Sequence, residues 1–170
     1  MMNVKLGRYG RTQLHFCAKN GFTTSVKRLL SIRNINVNMK DDWTGWTPLN
    51  WAALKGHVEI ARLLLQNGAE VNVRDSLDRT PLHYAALFGH VDILHLLVEN
   101  GADLEAQNNP GERALHIAAR YCNLPIIQEL ISRYHVDINA RENDGRTALM
   151  LARARNHSTV IAFLQSNGGI

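Results

Sequence analysis

The sequence predicts an all-α repeat solenoid, in which helix-turn-helix units stack side by side and are joined by β-turn or hairpin loops. Three observations favour this fold class. A seven-residue motif recurs five times, its copies start 35, 33, 33 and 34 residues apart, and glycine follows the helical segments. A fixed period of this length is typical of stacked helical repeats. The copies begin at Thr12, Thr47, Thr80, Arg113 and Thr147.

The second copy shows how one unit is built. Thr47 is a favoured N-cap, because its side-chain oxygen can accept a hydrogen bond from a free backbone N–H. Pro48 follows at the first helical position, where its missing N–H costs no hydrogen bond. Gly56 ends this short helix in a left-handed conformation. Apolar residues at i, i+3 and i+4 predict a second helix over residues 58–66, which Gly68 ends.

One such helix pair cannot bury its apolar face alone, so the units must stack into a single domain over residues 1–170. In the last copy Arg153 replaces a motif alanine and Arg155 follows, on the face that a sixth unit would cover. A polar outer face is what a terminal repeat needs for solubility, so we expect a complete array of five repeats, and a fragment of a longer protein stays open as the alternative. Their expected limits are about 7–41, 42–74, 75–107, 108–141 and 142–170.

Two kinds of departure interrupt the repeat. Asn50 and Met150 occupy the position of the motif histidine, and we expect them to loosen their turns because neither side chain reproduces imidazole hydrogen bonding. Two extra residues lie between Leu30 and Asp42, and one lies between Ile131 and Asp137. These insertions are expected either to bend the stack or to present a loop.

The motif Thr80-Pro-Leu-His-Tyr-Ala-Ala and the later Asn100-Gly-Ala-Asp-Leu-Glu resemble the ankyrin repeat, and the resemblance extends over about residues 7–170. It implies that the motif histidines His15, His83 and His116 tie neighbouring turns together. It also implies that a partner protein binds the concave surface of the stack.

Composition narrows the class of protein further. The net charge is +4, but residues 1–40 carry eight basic and no acidic side chains, whereas residues 41–140 have a net charge of −6. No apolar run approaches the roughly 18 residues of a membrane span, and residues 1–10 lack the apolar core of a secretory signal. We therefore expect a monomeric protein of the cytoplasm, the nucleus or, for a bacterial effector, the host cytosol.

Nothing in the sequence indicates an enzyme, a metal site or a cofactor. Phosphate-binding, hydrolase and metalloprotease motifs are absent, and six of the eight histidines are explained by their places in the repeat. His95 and His135 remain, without a Cys or carboxylate at ligand spacing. Cys17 and Cys122 are expected to be free thiols about 25–30 Å apart, Cys17 buried and Cys122 near the surface.

The resemblance places partner contacts on the turn tips and on the exposed face of the first helices. Residues at these positions are rich in aromatic side chains and arginine, which dominate interface hot spots. We expect a partner with acidic and apolar side chains, and no small-molecule substrate. Trp46 either faces the partner or lies flat on the next turn. The predicted contact residues are Arg8, Tyr9, Arg11, Trp43, Trp46, Leu77, Arg79, Leu87, Phe88, Glu112, Arg120, Tyr121 and Arg146.

Two other functions stay open from the sequence. The basic first repeat permits binding of nucleic acid or an anionic membrane surface, although the acidic middle of the chain opposes it. A further alternative is that the array is a substrate: Asn72, with Leu64 eight residues before it, resembles a site of asparaginyl hydroxylation in ankyrin-like repeats. The counterparts Asn38 and Asn139 share a sufficient structural role in the turn.

Overall fold

The computed structural model describes residues 9–170, which form ten α-helices in five successive pairs and contain no β-strand. We call each pair, with the turn before it, a unit. No helix in this part of the chain is both long and apolar enough to cross a membrane. The helices are α1 (Gln13–Asn20), α2 (Thr23–Leu30), α3 (Pro48–Lys55), α4 (Val58–Gln66), α5 (Pro81–Phe88), α6 (Val91–Glu99), α7 (Ala114–Arg120), α8 (Leu124–Gln128), α9 (Ala148–Ala154) and α10 (Ser158–Ser166).

The helices form two layers. The first helices of the units, α1, α3, α5, α7 and α9, pack side by side, and each second helix packs on its own first helix. One continuous apolar core runs between the layers, and the motif leucines and alanines lie fully inside it. The predicted all-α solenoid of stacked units is thus confirmed, and α4 has the predicted limits.

Helix ends follow the sequence signals. Thr47 accepts a hydrogen bond from the backbone N–H of Asn50, and Pro48 begins α3. Gly56 ends α3 with φ = 72°, and a Cβ there would lie 2.8 Å from the ring of His90 in the next unit. Glycine is needed both for the left-handed backbone and for this close approach. Cys122 takes the equivalent place in unit 4, with φ = 62°, and is exposed as expected.

The extra residue of unit 4 lies inside its second helix. After α8 the chain continues as a π-helical segment, Glu129–Arg133, in which the N–H of Tyr134 donates to the carbonyl of Glu129. His135, with φ = 53°, then stands in the left-handed place that Gly68 has in unit 2. The insertion does not form a separate loop, because a wider helical turn takes up the extra residue.

Buried motif histidines join each unit to the next. In unit 3, Nδ1 of His83 accepts from the backbone N–H of Thr80 at 3.0 Å, and Nε2 donates to the carbonyl of Glu112 in unit 4, also at 3.0 Å. The ring therefore caps its own helix and satisfies a carbonyl of its neighbour. His15 and His116 do the same, with the carbonyls of Trp46 and Ala140.

Asn50 is a partial correction to the expectation from sequence. Its Oδ1 accepts from the N–H and the hydroxyl of Thr47 at 2.9 and 2.8 Å, so it reproduces the capping half of the histidine role. Its Nδ2 is buried without a hydrogen-bond partner among the described residues. What unit 2 lacks is the bond to unit 3, rather than order in its own turn.

Asparagine side chains form a second link. Asn72 accepts from the N–H of Asp103 at 2.9 Å and donates to the carbonyl of Gly101 at 3.0 Å, both in the next unit. Asn38 and Asn139 make the same pair of bonds with their following segments. In unit 3 the equivalent residue is Glu105, which pairs with Arg113 instead.

Exchanging the two side chains at the motif position tests the histidine link. We expect Asn50→His to raise the free energy of unfolding by about 0.5–1.5 kcal/mol, because it adds the missing bond to the carbonyl of Arg79 and removes an unpaired buried amide. His83→Asn should lower it by about 1–3 kcal/mol for the opposite reason. Urea unfolding followed by circular dichroism measures both, and equal effects of the two substitutions would contradict the assignment.

The same histidines make stability depend on pH. Burial lowers the pKa of His15, His83 and His116 below the ordinary imidazole value. Below about pH 6.5 the unfolded chain therefore binds more protons than the folded one, and stability falls as the pH decreases. Urea unfolding between pH 7.5 and 5 should show this loss, with a smaller slope for His83→Asn. A free energy of unfolding that is constant over this range would refute it.

Candidate functional site

Successive turn tips are joined by backbone hydrogen bonds at the edge of the stack. The N–H of Asp42 donates to the carbonyl of Tyr9, and that of Asn109 donates to Leu77, each at 3.0 Å. The same bond joins Ser76 to Thr44 and Asn143 to Pro110. The tips are thus held in register along the first-helix layer. We call the surface between these tips and the first helices the turn–helix groove.

A buried polar side chain organises each turn from beneath. Asp41, Asp75, Asn108 and Glu142 are all less than a tenth exposed and accept backbone N–H groups within their own turns. Burial raises the pKa of Asp41, but hydrogen bonds from Thr44 and Arg11 outweigh it and hold that pKa below its usual value. The hydrogen bond from Arg146 lowers the pKa of Glu142 to about 2. Asp41 and Glu142 are therefore charged at neutral pH.

At the first two junctions, the preceding unit supplies a donor to this buried acid. Nε of Arg11 lies 3.2 Å from Asp41, and Nε1 of Trp46 lies 3.0 Å from Asp75. The Trp46 ring also packs edge-on against Trp51 and Tyr84, with centroids 4.5 and 4.9 Å away. Of the two roles predicted for Trp46, the structure favours packing on the next turn.

Three predicted contact residues meet at the tips of units 1 and 2. Trp43 is 68% exposed, and its ring lies 4.9 Å from that of Tyr9. The guanidinium of Arg11 lies over the Tyr9 ring at 5.0 Å and over Trp51 at 4.7 Å. The cluster offers an aromatic surface, and the Arg11 guanidinium beside it is already paired with Asp41. Arg8, also predicted as a contact residue, lies outside the described residues.

Six other predicted contact residues meet in a pocket of about 280 Å³ in the groove between units 3, 4 and 5. Leu87, Pro110, Ile117 and Tyr121 form apolar parts of its wall, and His83 lies at its base. The predicted residues in its lining are Arg79, Leu87, Glu112, Arg120, Tyr121 and Arg146.

Charges in the pocket are unequally compensated. Arg120 forms an ion pair with Glu112, and Arg146 bonds both Glu142 and Asp144. Arg79 forms no ion pair with any carboxylate in residues 9–170, and its buried Nε has no hydrogen-bond partner there. Glu112 is only 6% exposed and supports Arg120 from within the pocket wall, and its role as a contact residue stays a prediction.

Ile117 lies at the site although it was not among the predicted contact residues. Its motif position indicated core packing, and it is indeed buried, yet it also lines the pocket. The equivalent residues in units 2 and 3 are the larger Trp51 and Tyr84. The change from aromatic to aliphatic side chain at this position was the available signal, because a smaller residue leaves space beside the groove.

Leu77 and Phe88 lie outside the pocket. Leu77, on the tip of unit 3, and Phe88, the last residue of α5, are both about half exposed. The Phe88 ring stacks on His90 with centroids 6.3 Å apart. The structure therefore divides the predicted surface into the Trp43 cluster, the pocket and these two separate apolar residues.

His95 has partners that the sequence did not indicate. Its Nδ1 lies 2.7 Å from the hydroxyl of Tyr134, and its Nε2 lies 3.4 Å from Glu129, both in unit 4. Sequence spacing did not indicate these partners, because Glu129 and Tyr134 lie more than 30 residues away and reach α6 only through the π-helical segment. In residues 9–170 there is no group of three His, Cys, Asp or Glu side chains that could hold a metal.

Comparison with known proteins agrees with this architecture. A family model described as ankyrin repeats in three copies matches residues 14–108 and again 82–170. Helix pairs with linked turns and an open groove define a repeat protein of the solenoid class. The chain belongs to the ankyrin repeat family.

Individual relatives share only part of the chain. Ankyrin repeat domain-containing protein 49 of Bos taurus is 41% identical over 59 residues, which is 35% of this chain and 24% of that protein. Protein phosphatase 1 regulatory subunit 12A of Mus musculus is 40% identical over 65 residues, 38% of this chain and 6% of that one. Palmitoyltransferase akr1 of Schizosaccharomyces pombe is 42% identical over 59 residues, which is 35% of this chain and 9% of that protein. Each match spans less than a quarter of the relative's length.

The exchange of Asn108 for an acid tests how the groove is supported. Nδ2 of Asn108 donates to Glu112 at 3.1 Å, so Asn108→Asp would place two buried carboxylates together. We expect the free energy of unfolding to fall by about 1–3 kcal/mol, with partial recovery in Asn108→Asp/Glu112→Gln. Thermal and urea unfolding measure both variants, and an unchanged midpoint for the single variant would show that Asn108 is not constrained by Glu112.

Proposed function

We propose that this chain is a non-enzymatic adaptor, which binds a partner protein along the turn–helix groove. Ankyrin repeats are generally protein–protein interaction modules, and a regulatory subunit is among the relatives. The particular groove and its residues are our proposal for this chain. It acts by presenting a preformed surface to the partner.

The observation that supports the groove most is the exposure of Trp43 on a fixed backbone. Its side chain is the most exposed of the large apolar residues that the structure describes. The turn that carries it is linked to both neighbouring tips, and the ring rests on Tyr9. A rigid, exposed tryptophan buries a large area at little entropic cost when a partner covers it, as hot-spot residues do.

Charge suggests what the partner carries. The groove offers Arg79 without an acid partner, and Lys19 lies over the Trp51 ring with Nζ 4.9 Å from its centroid. Acidic groups on the partner would meet these cations, while apolar groups would meet Trp43, Leu77 and Tyr121. The proposed partner is thus a protein segment with both acidic and apolar side chains.

Binding of nucleic acid or an anionic surface through the first repeat has less support. Arg11 is paired with Asp41, and Lys27 lies 3.3 Å from Glu59 of unit 2. These carboxylates remove part of the positive charge that phosphate binding needs. We keep this function as an alternative outcome, recognised by binding that falls steeply with salt and is common to all nucleic-acid sequences.

The groove proposal is tested by truncating its aromatic residues. Affinity capture from a lysate of the native cells, read by mass spectrometry, compares the wild type with Trp43→Ala/Phe88→Ala. For a protein captured by the wild type, we expect the double variant to lose roughly 2–4 kcal/mol of binding in calorimetry, because hot-spot contacts are removed. The melting temperature should stay unchanged, since both side chains are exposed.

Phe22→Ala provides a matched control. Phe22 is 49% exposed, close to the 51% of Phe88, but it precedes α2 in the first unit and faces Phe16 instead of the groove. The control should retain full affinity. If Phe22→Ala weakens binding and the double variant does not, the partner site lies at the first unit's end.

A further inference from the structure

We infer that the pocket between units 3, 4 and 5 is the anchor site of the groove, and that it binds an acidic side chain flanked by a large aliphatic one. This inference rests on the proposed function, because it names the chemistry that the groove selects. Arg79 is its specificity-determining residue, and Leu87, Ile117 and Tyr121 receive the aliphatic side chain.

The charge of the wall favours a carboxylate. The lining holds three guanidinium groups, from Arg79, Arg120 and Arg146, and a single carboxylate, from Glu112. Arg120 and Arg146 are held by acids of this chain, so their charge is largely compensated. Arg79 alone among these three has no ion pair in the described chain. A ligand carboxylate would complete its planar donor set and form a charge-assisted hydrogen bond.

Arg79 lacks an ion pair within the described residues because its junction differs from the two before it. Residues just before the motif donate to the buried acid of the next unit at the first two junctions: Arg11 to Asp41 and Trp46 to Asp75. At the third junction Arg79 faces unit 4, where the equivalent residue is the neutral Asn108. The amide of Asn108 is already used by Glu112, through both its oxygen and its nitrogen. The third junction therefore lacks the buried carboxylate that the first two have at this position in the next unit. Within its own unit, the Arg79 guanidinium bonds the hydroxyl of Tyr84, which donates to Asp75.

Space and apolar surface lie beside this cation. The cavity of about 280 Å³ accommodates one leucine-sized or phenylalanine-sized side chain. Leu87 is half-buried, Ile117 is buried, and the half-exposed Tyr121 stands at the rim. An aliphatic side chain placed here would remove apolar surface from water, while its acidic neighbour reached Arg79. An acidic side chain alone would contact only Arg79, and an aliphatic side chain alone would contact only the apolar part of the pocket wall.

The test uses two small peptides and the whole chain labelled with ¹⁵N and with ¹³C in its methyl groups. The probes are acetyl-Leu-Asp-Leu-amide and acetyl-Leu-Asn-Leu-amide, which differ only in the carboxylate. Titration by nuclear magnetic resonance follows the Arg79 Nε–H signal and the methyl groups of Leu87 and Ile117. We expect saturable shifts at these groups, with the aspartyl peptide binding at least about tenfold more tightly than the asparaginyl one.

Two variants separate recognition from net charge. Arg79→Gln should reduce the preference for aspartate to about twofold or less while the methyl shifts persist. Arg62→Gln removes the same charge from an exposed site on α4, in the other layer, and should retain the full preference. The spectra themselves report whether each variant is folded.

The inference is overturned if neither peptide shifts these signals at 10 mM, if both bind equally, or if Arg62→Gln abolishes the preference as well. Those results leave the groove proposal intact when Trp43→Ala/Phe88→Ala still weakens capture. Conversely, a pocket that binds the peptide while the aromatic variants capture their partner normally would place the partner site at the pocket alone.

Discussion

The whole structure depends on pairing the backbone groups of the turns that lie against neighbouring units. A buried N–H or C=O group without a partner is costly, and residues 9–170 provide no β-sheet to satisfy these groups. Side chains take over that task, and many of them belong to the adjacent unit: His83 reaches Glu112, Asn72 reaches Gly101, and Asn123 donates to the carbonyls of Ala86 and Leu87. An isolated unit would leave these groups unpaired. Stacking is therefore required by hydrogen bonding as well as by the apolar core.

The proposed binding site follows from local exceptions to this scheme. Between units 3 and 4 the linking asparagine is replaced by Glu105, the buried acid by Asn108, and the aromatic residue of units 2 and 3 by Ile117. The first change exchanges a pair of hydrogen bonds for the ion pair of Glu105 with Arg113. The second leaves Arg79 without a carboxylate at this position in the next unit, and the third provides space, so the pocket contains an arginine that has no ion pair in residues 9–170. The proposed pocket lies where residues differ from the repeat pattern, whereas the repeated residues build the scaffold.

The difference between repeated residues and exceptions explains which features could be predicted from the sequence. Helix limits such as Val58–Gln66 followed from caps and apolar spacing, which act within a few residues. The presence of six predicted residues around one pocket followed from repeat register. The hydrogen bond of Trp46 and the ion pair of Glu112 could not be predicted from the sequence. Their partners Asp75 and Arg120 become neighbours only through the fold. His95 was missed for a similar reason: its contacts with Glu129 and Tyr134 depend on a π-helical turn that motif spacing does not reveal.

That widened turn has a consequence for the unit that follows it. Because the surplus residue of unit 4 is taken up before Asn139, the bonds from Asn139 to the next unit keep the geometry seen for Asn38 and Asn72. The length of this outer helix is thereby decoupled from the interface with unit 5, and the turn tips beyond it keep their register.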